Sequence, residues 1–331
     1  MTSRTLASIL SAAALGAMVA GLSAGASAAK DQEIVAVVKI EGIPWFNRFA
    51  EGVKQAGADL HVKATQVGPA QADPAQQIKI IEDLIAKGVD AIVVVPNDAK
   101  VLEPVFERAK AKGIVVVTHE SPDQKGADWD VETIDNKEFA EQVFQKFADL
   151  TGGKGGFGLF VGGLTVPLHN YWADTGLAYL KAKYPDLKPV ADRLPVGESL
   201  DESFKATQDL LKAHPDLKGI VGFGSQGPIA AAHVLQQQGL VGKVVVVGTV
   251  LPKQAAPYLK DGALSAGFLW DPKDAGYAAV AVAKKVLDKQ PVAPGLELPG
   301  LGKAEVDPAK KQVKFDQIKT FTAGNAASFG F

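Results

Sequence analysis

Polar and aromatic side chains follow the apolar segments of this sequence at the positions where buried strands would end. Lys39 comes directly after the apolar run at residues 34–38, and the aromatic pair Trp45 and Phe46 follows shortly after it. Glu120 follows a later apolar run at 114–117, after Thr118 and His119. Ligands of open α/β sheets bind outside the carboxyl ends of the strands. We therefore expect these side chains to face one binding site.

The second half of the chain offers a corresponding set at the ends of its own predicted strands. It comprises His169, Asn170, Gln226, Trp270 and Asp271. Amide and carboxylate groups form hydrogen bonds that suit hydroxyl groups, and aromatic rings suit the C–H faces of a sugar. Both sets together predict a site for a small, uncharged ligand that carries several hydroxyl groups.

Each candidate also has a purely structural interpretation, which the sequence leaves open. Lys39 could form an ion pair, Trp270 could belong to the core, and Gln226 could cap the helix that follows it. Glu120 and Asp271 could act as helix caps or as solvated loop acids.

Several kinds of chemistry lack the residues that they need. The sequence contains no cysteine, which excludes disulfides, thiolate metal sites and cysteine nucleophiles. The segment GFGSQG at 222–227 matches a dinucleotide-binding pattern, but the next predicted strand ends without the acid that would hold a ribose. No HExxH motif occurs and no GxSxG elbow follows a predicted strand, since GLSAG at 21–25 falls in the apolar segment near the N-terminus, so we expect no metal, no cofactor and no enzymatic activity. The net charge of −2 gives no broad basic face for nucleic acid.

Short apolar runs alternate with amphipathic segments along most of the chain. The run at 91–95 is apolar at every position, which is typical of a strand covered by helices on both faces. Ile78, Ile81 and Ile85 fall on one stripe of a predicted helix, and the following Lys87-Gly88 pair indicates its end. The sequence therefore predicts an α/β protein with two doubly wound parallel-sheet lobes and several chain crossings between them.

The first 29 residues have the features of a secretory signal peptide. Arg4 supplies the positive charge of the n-region, and a weakly apolar segment follows it. Ala26-Ser27-Ala28 matches a cleavage site of the small-x-small type. We therefore expect an exported protein of the periplasm. The expected division is a signal peptide at 1–29, an N-terminal lobe of 30–135 and 265–295, and a C-terminal lobe of 136–264 and 296–331.

Six stretches together resemble one known family over essentially the whole mature chain. They are GIPWFNRFAEGVKQAG, QQIKIIEDLIAKGVDAIVVVPND, GIVVVTHESPD, IDNKEFA, GFLWDPKDAGYAAV and the tail ELPGLGKAEVD. The sequence resembles the periplasmic sugar-binding proteins of ABC importers, in the type I or ribose-binding-like group. Within that group it is most similar to the branch of rhamnose-binding and autoinducer-2-binding proteins.

The resemblance implies roles for residues that match the family's ligand positions. Trp45 and Phe46 match rings that stack on the sugar. Glu120 matches an acid that binds it, and Asp271 beside Trp270 matches a polar ligand residue. These assignments follow from the resemblance and not from spacing.

Around residues 168–172 the sequence differs from two kinds of binding protein in this group. Lys39 matches a lysine of the autoinducer-2 binders, but Leu168-His169 stands where those proteins have an Asp-Gln pair. The arginine of ribose binders has no counterpart between His169 and Trp172. The expected ligand is therefore a neutral monosaccharide, namely a pentose, a deoxyhexose or a related polyol.

The resemblance also implies a monomer that closes over its ligand and delivers it to the permease of an ABC transporter. Hinge strands are expected near 134–136, 262–266 and 294–298. A chemoreceptor or sensor kinase is a further compatible partner. The alternatives are an autoinducer-2 binding or signalling protein and an exported sugar-converting enzyme. The ligand-sensing core of a transcription repressor is disfavoured, because the chain has a signal peptide and no N-terminal helix-turn-helix.

Overall fold

The computed structural model describes residues 32–331, so the expected signal peptide lies outside the described part of the chain. The helices in this range are α1 Pro44–Asp59, α2 Pro74–Lys87, α3 Ala99–Ala111, α4 Asn136–Thr151, α5 Pro167–Lys183, α6 Leu200–Ala213, α7 Gly227–Gln238, α8 Pro252–Asp261 and α9 Pro272–Leu287, with a 3-10 turn at Ala326–Ser328. None of these helices is both long and apolar enough to cross a membrane.

The strands fall into two large sheets and one small hairpin. They are β1 Glu33–Val37, β2 Lys63–Val67, β3 Ala91–Val94, β4 Val115–His119, β5 Trp129–Glu132, β6 Lys154–Phe160, β7 Asp186–Pro189, β8 Gly219–Gly222, β9 Val245–Thr249, β10 Ala266–Leu269, β11 Glu297–Leu298, β12 Gly302–Lys303, β13 Glu305–Asp307, β14 Gln312–Lys314 and β15 Lys319–Phe321.

The first sheet has the strand order β13-β14-β5-β4-β3-β1-β2. Its neighbours are parallel except for the edge pair β13 and β14. The second sheet has the order β15-β10-β9-β8-β6-β7, and β15 alone runs antiparallel to its neighbour. Two largely parallel sheets with helices between most consecutive strands confirm the predicted α/β class.

Both faces of the first sheet are covered, which explains its uniformly apolar strands. Val35 and Val37 of β1 pack in one cluster with Ile81 of α2. Ile34 and Ala36 face the opposite way and belong to a second cluster, which extends to α1 and α9. Neighbouring strand residues point to opposite faces, so a strand buried on both faces needs apolar residues at every position.

Local sequence signals set the ends of several helices. Asp73 caps α2 by accepting a hydrogen bond of 2.8 Å from the backbone N–H of Ala75. Gly88 ends the same helix at φ +73°, a left-handed conformation that favours glycine. Gly113 follows α3 at φ +78°. The helix end predicted from the Lys87-Gly88 pair is therefore confirmed.

We define the first lobe as the first sheet with α1, α2, α3 and α9, and the second lobe as the second sheet with α4 to α8. The chain crosses between the lobes at 133–135, 270–271 and 315–318. The first crossing coincides with an expected hinge. The other two do not, because 262–266 lies between α8 and β10 of the second lobe, and 297–298 forms the hairpin strand β11.

Strand pairing also shifts the expected lobe boundaries. Ala266–Leu269, expected in the N-terminal lobe, pairs with β9 of the second sheet. Gln312–Lys314, expected in the C-terminal lobe, pairs with β5 of the first sheet. The period of apolar residues predicts that such a segment is a strand, but it does not predict which sheet the strand joins. That choice depends on tertiary packing.

Candidate functional site

A cavity of about 20 Å³ lies between the lobes at the carboxyl ends of the strands. The first lobe lines it with Lys39, Ile43, Trp45, Phe46 and Glu120. The second lobe and the crossing after β10 line it with His169, Trp172, Glu198, Gly224, Ser225, Thr249, Leu269 and Trp270. A volume of this size holds about one water molecule. The two lobes thus meet closely around a small, mostly buried space.

Lys39 and Glu120 reach this space from the ends of β1 and β4. Lys39 is 2% exposed, and its backbone carbonyl accepts a hydrogen bond of 2.8 Å from the side-chain amide of Asn97. Glu120 directly follows β4 at φ +59°, a left-handed conformation that is uncommon for a residue other than glycine. Such backbone strain is concentrated at functional sites.

Lys39 forms two buried ion pairs, one within its own lobe and one across the cleft. Its Nζ lies 2.8 Å from an oxygen of Glu120 and 3.1 Å from an oxygen of Glu198 in the second lobe. Burial alone would lower the pKa of Lys39, but the two carboxylates outweigh it and raise that pKa. Burial alone would raise the pKa of Glu120, but the Lys39 charge outweighs it and lowers that pKa. Both groups are therefore charged at neutral pH.

His169 is a neutral hydrogen-bonding group in this cavity. Burial and the nearby Lys39 charge lower its pKa to about 3. Its Nδ1 lies 2.9 Å from the backbone N–H of Gly162 and accepts that hydrogen bond. A neutral imidazole whose Nδ1 accepts must carry its proton on Nε2. His169 can therefore donate one hydrogen bond through Nε2.

Aromatic rings form the apolar wall of the cavity and pack on one another. Trp45 meets Phe46 edge-on at 4.8 Å between ring centroids and stacks on Phe49 at 5.6 Å. The ring of His119 stacks on the same indole at 6.0 Å, and Trp270 meets it edge-on at 6.1 Å. The large rings that follow the turn after β1 therefore have two roles, because they fill the core beneath the cavity and also line it.

Three polar atoms of cavity-lining residues are buried without a hydrogen-bond partner in the described part of the chain. They are Oε2 of Glu198, Oγ1 of Thr249 and Nε1 of Trp270. An unsatisfied buried polar group costs about 1–3 kcal/mol, so such groups are rarely left without partners. All three atoms belong to residues that line the same cavity.

Asp271 does not line the cavity, although it belongs to the predicted site. It caps α9 by accepting a hydrogen bond of 2.9 Å from the backbone N–H of Lys273. Arg48 of α1 donates two hydrogen bonds to its carboxylate, at 2.9 and 2.7 Å. The helix-cap interpretation left open by the sequence accounts for these contacts.

Asn170 and Gln226 also lie outside the cavity lining. The amide of Asn170 donates to the backbone carbonyls of Gly163 and Val166, each at 2.8 Å. Gln226 is the residue before α7, and its side chain donates to the Ser225 hydroxyl at 3.1 Å. Both side chains thus have partners within the protein, whereas the other six predicted site residues line the cavity.

Sequence reasoning missed Trp172, Glu198 and Thr249. Thr249 is the last residue of β9, so the carboxyl-end rule applied to every predicted strand would have found it. Glu198 follows an irregular stretch after β7 and has a weaker signal. Trp172 lies inside α5, where its indole N–H donates to the side chain of Asn136 at 3.0 Å. Nothing in the local pattern distinguishes it from a core residue.

The titratable residues do not form a metal centre within residues 32–331, where no group of three or more His, Cys, Asp or Glu could hold an ion. The arrangement instead combines hydrogen-bond donors, carboxylate acceptors and aromatic surface. This combination is suited to a small polar molecule with apolar faces.

A family model described as a periplasmic binding protein domain matches residues 34–291. A xylitol-binding protein of Mycolicibacterium smegmatis is 28% identical over 328 residues, covering 95% of this chain and 90% of that protein. An ABC transporter solute-binding protein of Clostridium phytofermentas with bound L-rhamnose superposes with a TM-score of 0.83 at 25% identity, covering 90% of this chain and 98% of that one. LsrB of Clostridium saccharobutylicum, in complex with AI-2, superposes with a TM-score of 0.83 at 23% identity, covering 90% of this chain and 100% of that one, and shows a shared fold.

Proposed function

This chain belongs to the periplasmic binding protein family, and we propose that it captures a neutral monosaccharide or polyol between its lobes and delivers it to an ABC permease. The observation that carries this proposal is the set of buried, partnerless polar atoms on Glu198, Thr249 and Trp270 beside an aromatic wall. A ligand with several hydroxyl groups can satisfy all three, since a hydroxyl both donates and accepts.

The nature of related ligands supports an uncharged, hydroxyl-rich compound. The similar protein of M. smegmatis is a xylitol-binding protein, and the similar solved structure contains L-rhamnose. Xylitol is a pentose-derived polyol and rhamnose is a deoxyhexose. Both classes present hydroxyl groups to polar atoms and C–H surface to rings, which the cavity offers through Trp45 and Phe46.

Binding has to be coupled to movement of the lobes, because a monosaccharide is much larger than one water molecule. The lobes are bridged beside the cavity by the Lys39–Glu198 ion pair and by a hydrogen bond of 3.1 Å from Thr165 to the carbonyl of Asn97. We propose that the lobes separate about the three crossings, admit the ligand and close on it. The ligand favours closure only through contacts that the closed form makes and the open form lacks.

The affinity expected from such a site is moderate. A micromolar dissociation constant corresponds to about −8 kcal/mol. Several hydrogen bonds and a packed ring can leave that much after the costs of ordering. Release to a permease requires that the bound state is not much tighter, so this range suits a transport role.

A binding role is favoured over the alternative of a sugar-converting enzyme. Glycosidases use a carboxylic acid with a raised pKa to protonate the leaving group. The pKa of Glu120 is lowered instead, because Lys39 stabilises its carboxylate. Glu120 is thus suited to accept hydrogen bonds from hydroxyl groups and not to donate a proton.

The proposed place of action is the periplasm, with an ABC permease as the partner of the closed form. A chemoreceptor or sensor kinase is a compatible second partner, and the protein is proposed to act as a monomer. Removal of the segment before residue 30 during export would leave the lobes as the mature protein.

The experiment is a thermal-shift screen of the mature protein against pentoses, deoxyhexoses, their polyols and autoinducer-2, followed by calorimetric titration of each hit. We expect stabilisation by at least one neutral sugar or polyol and no conversion of that compound on prolonged incubation. Stabilisation by autoinducer-2 alone would replace the sugar with that ligand. Product formation would establish the enzyme alternative, and no response to any neutral compound would overturn the proposal.

A further inference from the structure

Glu198 occupies a boundary between two spaces of the cleft. It is 7% exposed and lines both the inner cavity and an outer pocket of about 380 Å³ at the cleft mouth. One oxygen lies 3.1 Å from Nζ of Lys39, and the other is buried without a hydrogen-bond partner among residues 32–331. This second oxygen is a strong acceptor that a ligand reaching the inner cavity can use.

The backbone around Glu198 is held in place before any ligand arrives. The preceding Gly197 donates its N–H to the carbonyl of Val161 at 2.8 Å and accepts the N–H of Gln226 at 3.1 Å. A side chain at Gly197 would come within 2.1 Å of the carbonyl oxygen of Phe223. The loop is therefore packed against the ends of β6 and β8, so the carboxylate is presented by a rigid support.

The cavity carries one more negative charge than positive charge. Four of its lining residues have ionisable side chains: Lys39, Glu120, His169 and Glu198. Lys39 is paired with both carboxylates, while His169 is a neutral donor. A single ammonium group thus faces two carboxylates in a buried space. Adding a further anion there is opposed by repulsion and by the cost of desolvating it.

We propose that Glu198 selects ligands by charge: its partnerless oxygen accepts a hydrogen bond from an uncharged sugar or polyol, and its negative charge excludes sugar acids. This role rests on the proposed function and adds to it the chemical class that is rejected.

The test compares the neutral sugar that stabilises the wild type most with the aldonate of the same sugar, in which C1 is a carboxylate. Calorimetric titration gives the ratio of the two dissociation constants for each variant. We expect the wild type to favour the neutral sugar at least ~100-fold, which is about 2.7 kcal/mol. In Glu198→Gln the ratio should fall at least ~10-fold, and in Glu198→Asp, which keeps the charge, it should stay within about threefold of the wild type.

The matched control is Glu202→Gln, which removes the same charge from an exposed residue lining only the outer pocket. It should leave the ratio unchanged. If the amide is not accommodated at position 198, Glu198→Thr removes the same charge with a smaller side chain and should lower the ratio equally. Thermal melting establishes that each variant is folded.

The outcomes separate this inference from the proposed function. A wild type that binds no neutral sugar or polyol overturns the proposed function. A wild type that binds the sugar and its aldonate equally, or a Glu198→Gln variant with unchanged discrimination, overturns the charge-selecting role and leaves the proposed function in place. An equal loss of discrimination in Glu202→Gln also overturns it, because the effect would then belong to the general charge of the surface.

Discussion

Replacing Lys39 by methionine removes the one cation among the cavity-lining residues and keeps the length of the side chain. The carboxylates of Glu120 and Glu198 then remain buried, 4% and 7% exposed, without their partner at 2.8 and 3.1 Å. Removing one partner of a buried ion pair costs about 3–5 kcal/mol, because the remaining charge is desolvated without compensation. We expect the free energy of unfolding to fall by that amount at neutral pH, which lowers the melting temperature by roughly 6–10 °C at about 2 °C per kcal/mol.

The pH dependence separates lost charge pairing from lost packing. In the wild type the pKa of Glu120 is lowered, so its contribution to stability is present above the ordinary value of 4.5 and is lost as the pH falls through its folded-state pKa. The pKa of Lys39 is raised, so its contribution is present below the ordinary value of 10.5 and is lost as the pH rises through its folded-state pKa. Without Lys39, burial is left to raise the pKa of Glu120, and the variant should become less stable as the pH rises above about 4.5.

The assay is thermal melting followed by circular dichroism between pH 3 and 8 for the wild type and Lys39→Met. The stability difference should have its full value at pH 7 and should shrink as the pH falls below 4.5, because protonation of Glu120 removes the buried charge that Lys39 stabilises. The control is Lys137→Met, which breaks the exposed pair of Lys137 with Glu141 and should leave the melting temperature nearly unchanged. A difference that is the same at every pH, or no difference at pH 7, would refute the electrostatic reasoning.

Three further predictions concern single residues. Glu120→Gln should weaken binding of the neutral sugar at least ~10-fold, or about 1.4 kcal/mol. Asp271→Asn, which removes a charge outside the cavity, should not weaken binding. Equal effects of the two variants in titration calorimetry would contradict the placement of the site. Trp45→Ala should lower the free energy of unfolding by about 3–5 kcal/mol as well as weaken binding, because the ring is 6% exposed and packed on other rings; a melting temperature equal to that of the wild type would show that the ring is not part of the core. Glu132→Gln should stabilise the protein at pH 7 but not at pH 4, because burial and Asp130 raise the pKa of Glu132. The stability of the wild type then falls by up to about 1.4 kcal/mol per pH unit as the pH rises above 4.5. A difference in melting temperature between variant and wild type that stays constant from pH 4 to 7 would count against this.

Most of the first-lobe side of the site could be predicted because its residues follow strands directly. Lys39, Trp45, Phe46 and Glu120 all line the cavity, as expected from the carboxyl ends of parallel strands. His169 of the second lobe also lines the cavity. The carboxyl-end rule works because the direction of parallel strands puts every carboxyl end on one edge of a sheet, whatever the details of packing.

The rule failed where a polar side chain had a competing partner that the sequence does not reveal. Asp271 follows β10 as the rule requires, but Arg48, which is far away in sequence, binds its carboxylate at 2.7 Å. Asn170 is occupied by backbone carbonyls of its own turn. The rule gives the edge on which a residue lies, whereas the partner of its side chain depends on which helices pack beside it.

The amino-acid sequence by itself determined the class of fold, the ends of helices such as that at Gly88, and the kinds of side chain at the strand ends. These properties are local, because the period of apolar residues and the conformational freedom of glycine act over a few residues. Only the tertiary structure decided that β10 joins the second sheet and that Glu198 meets Lys39 across the cleft. Those contacts join segments that are far apart in the sequence and meet only in the folded chain, and no short stretch of sequence encodes that arrangement.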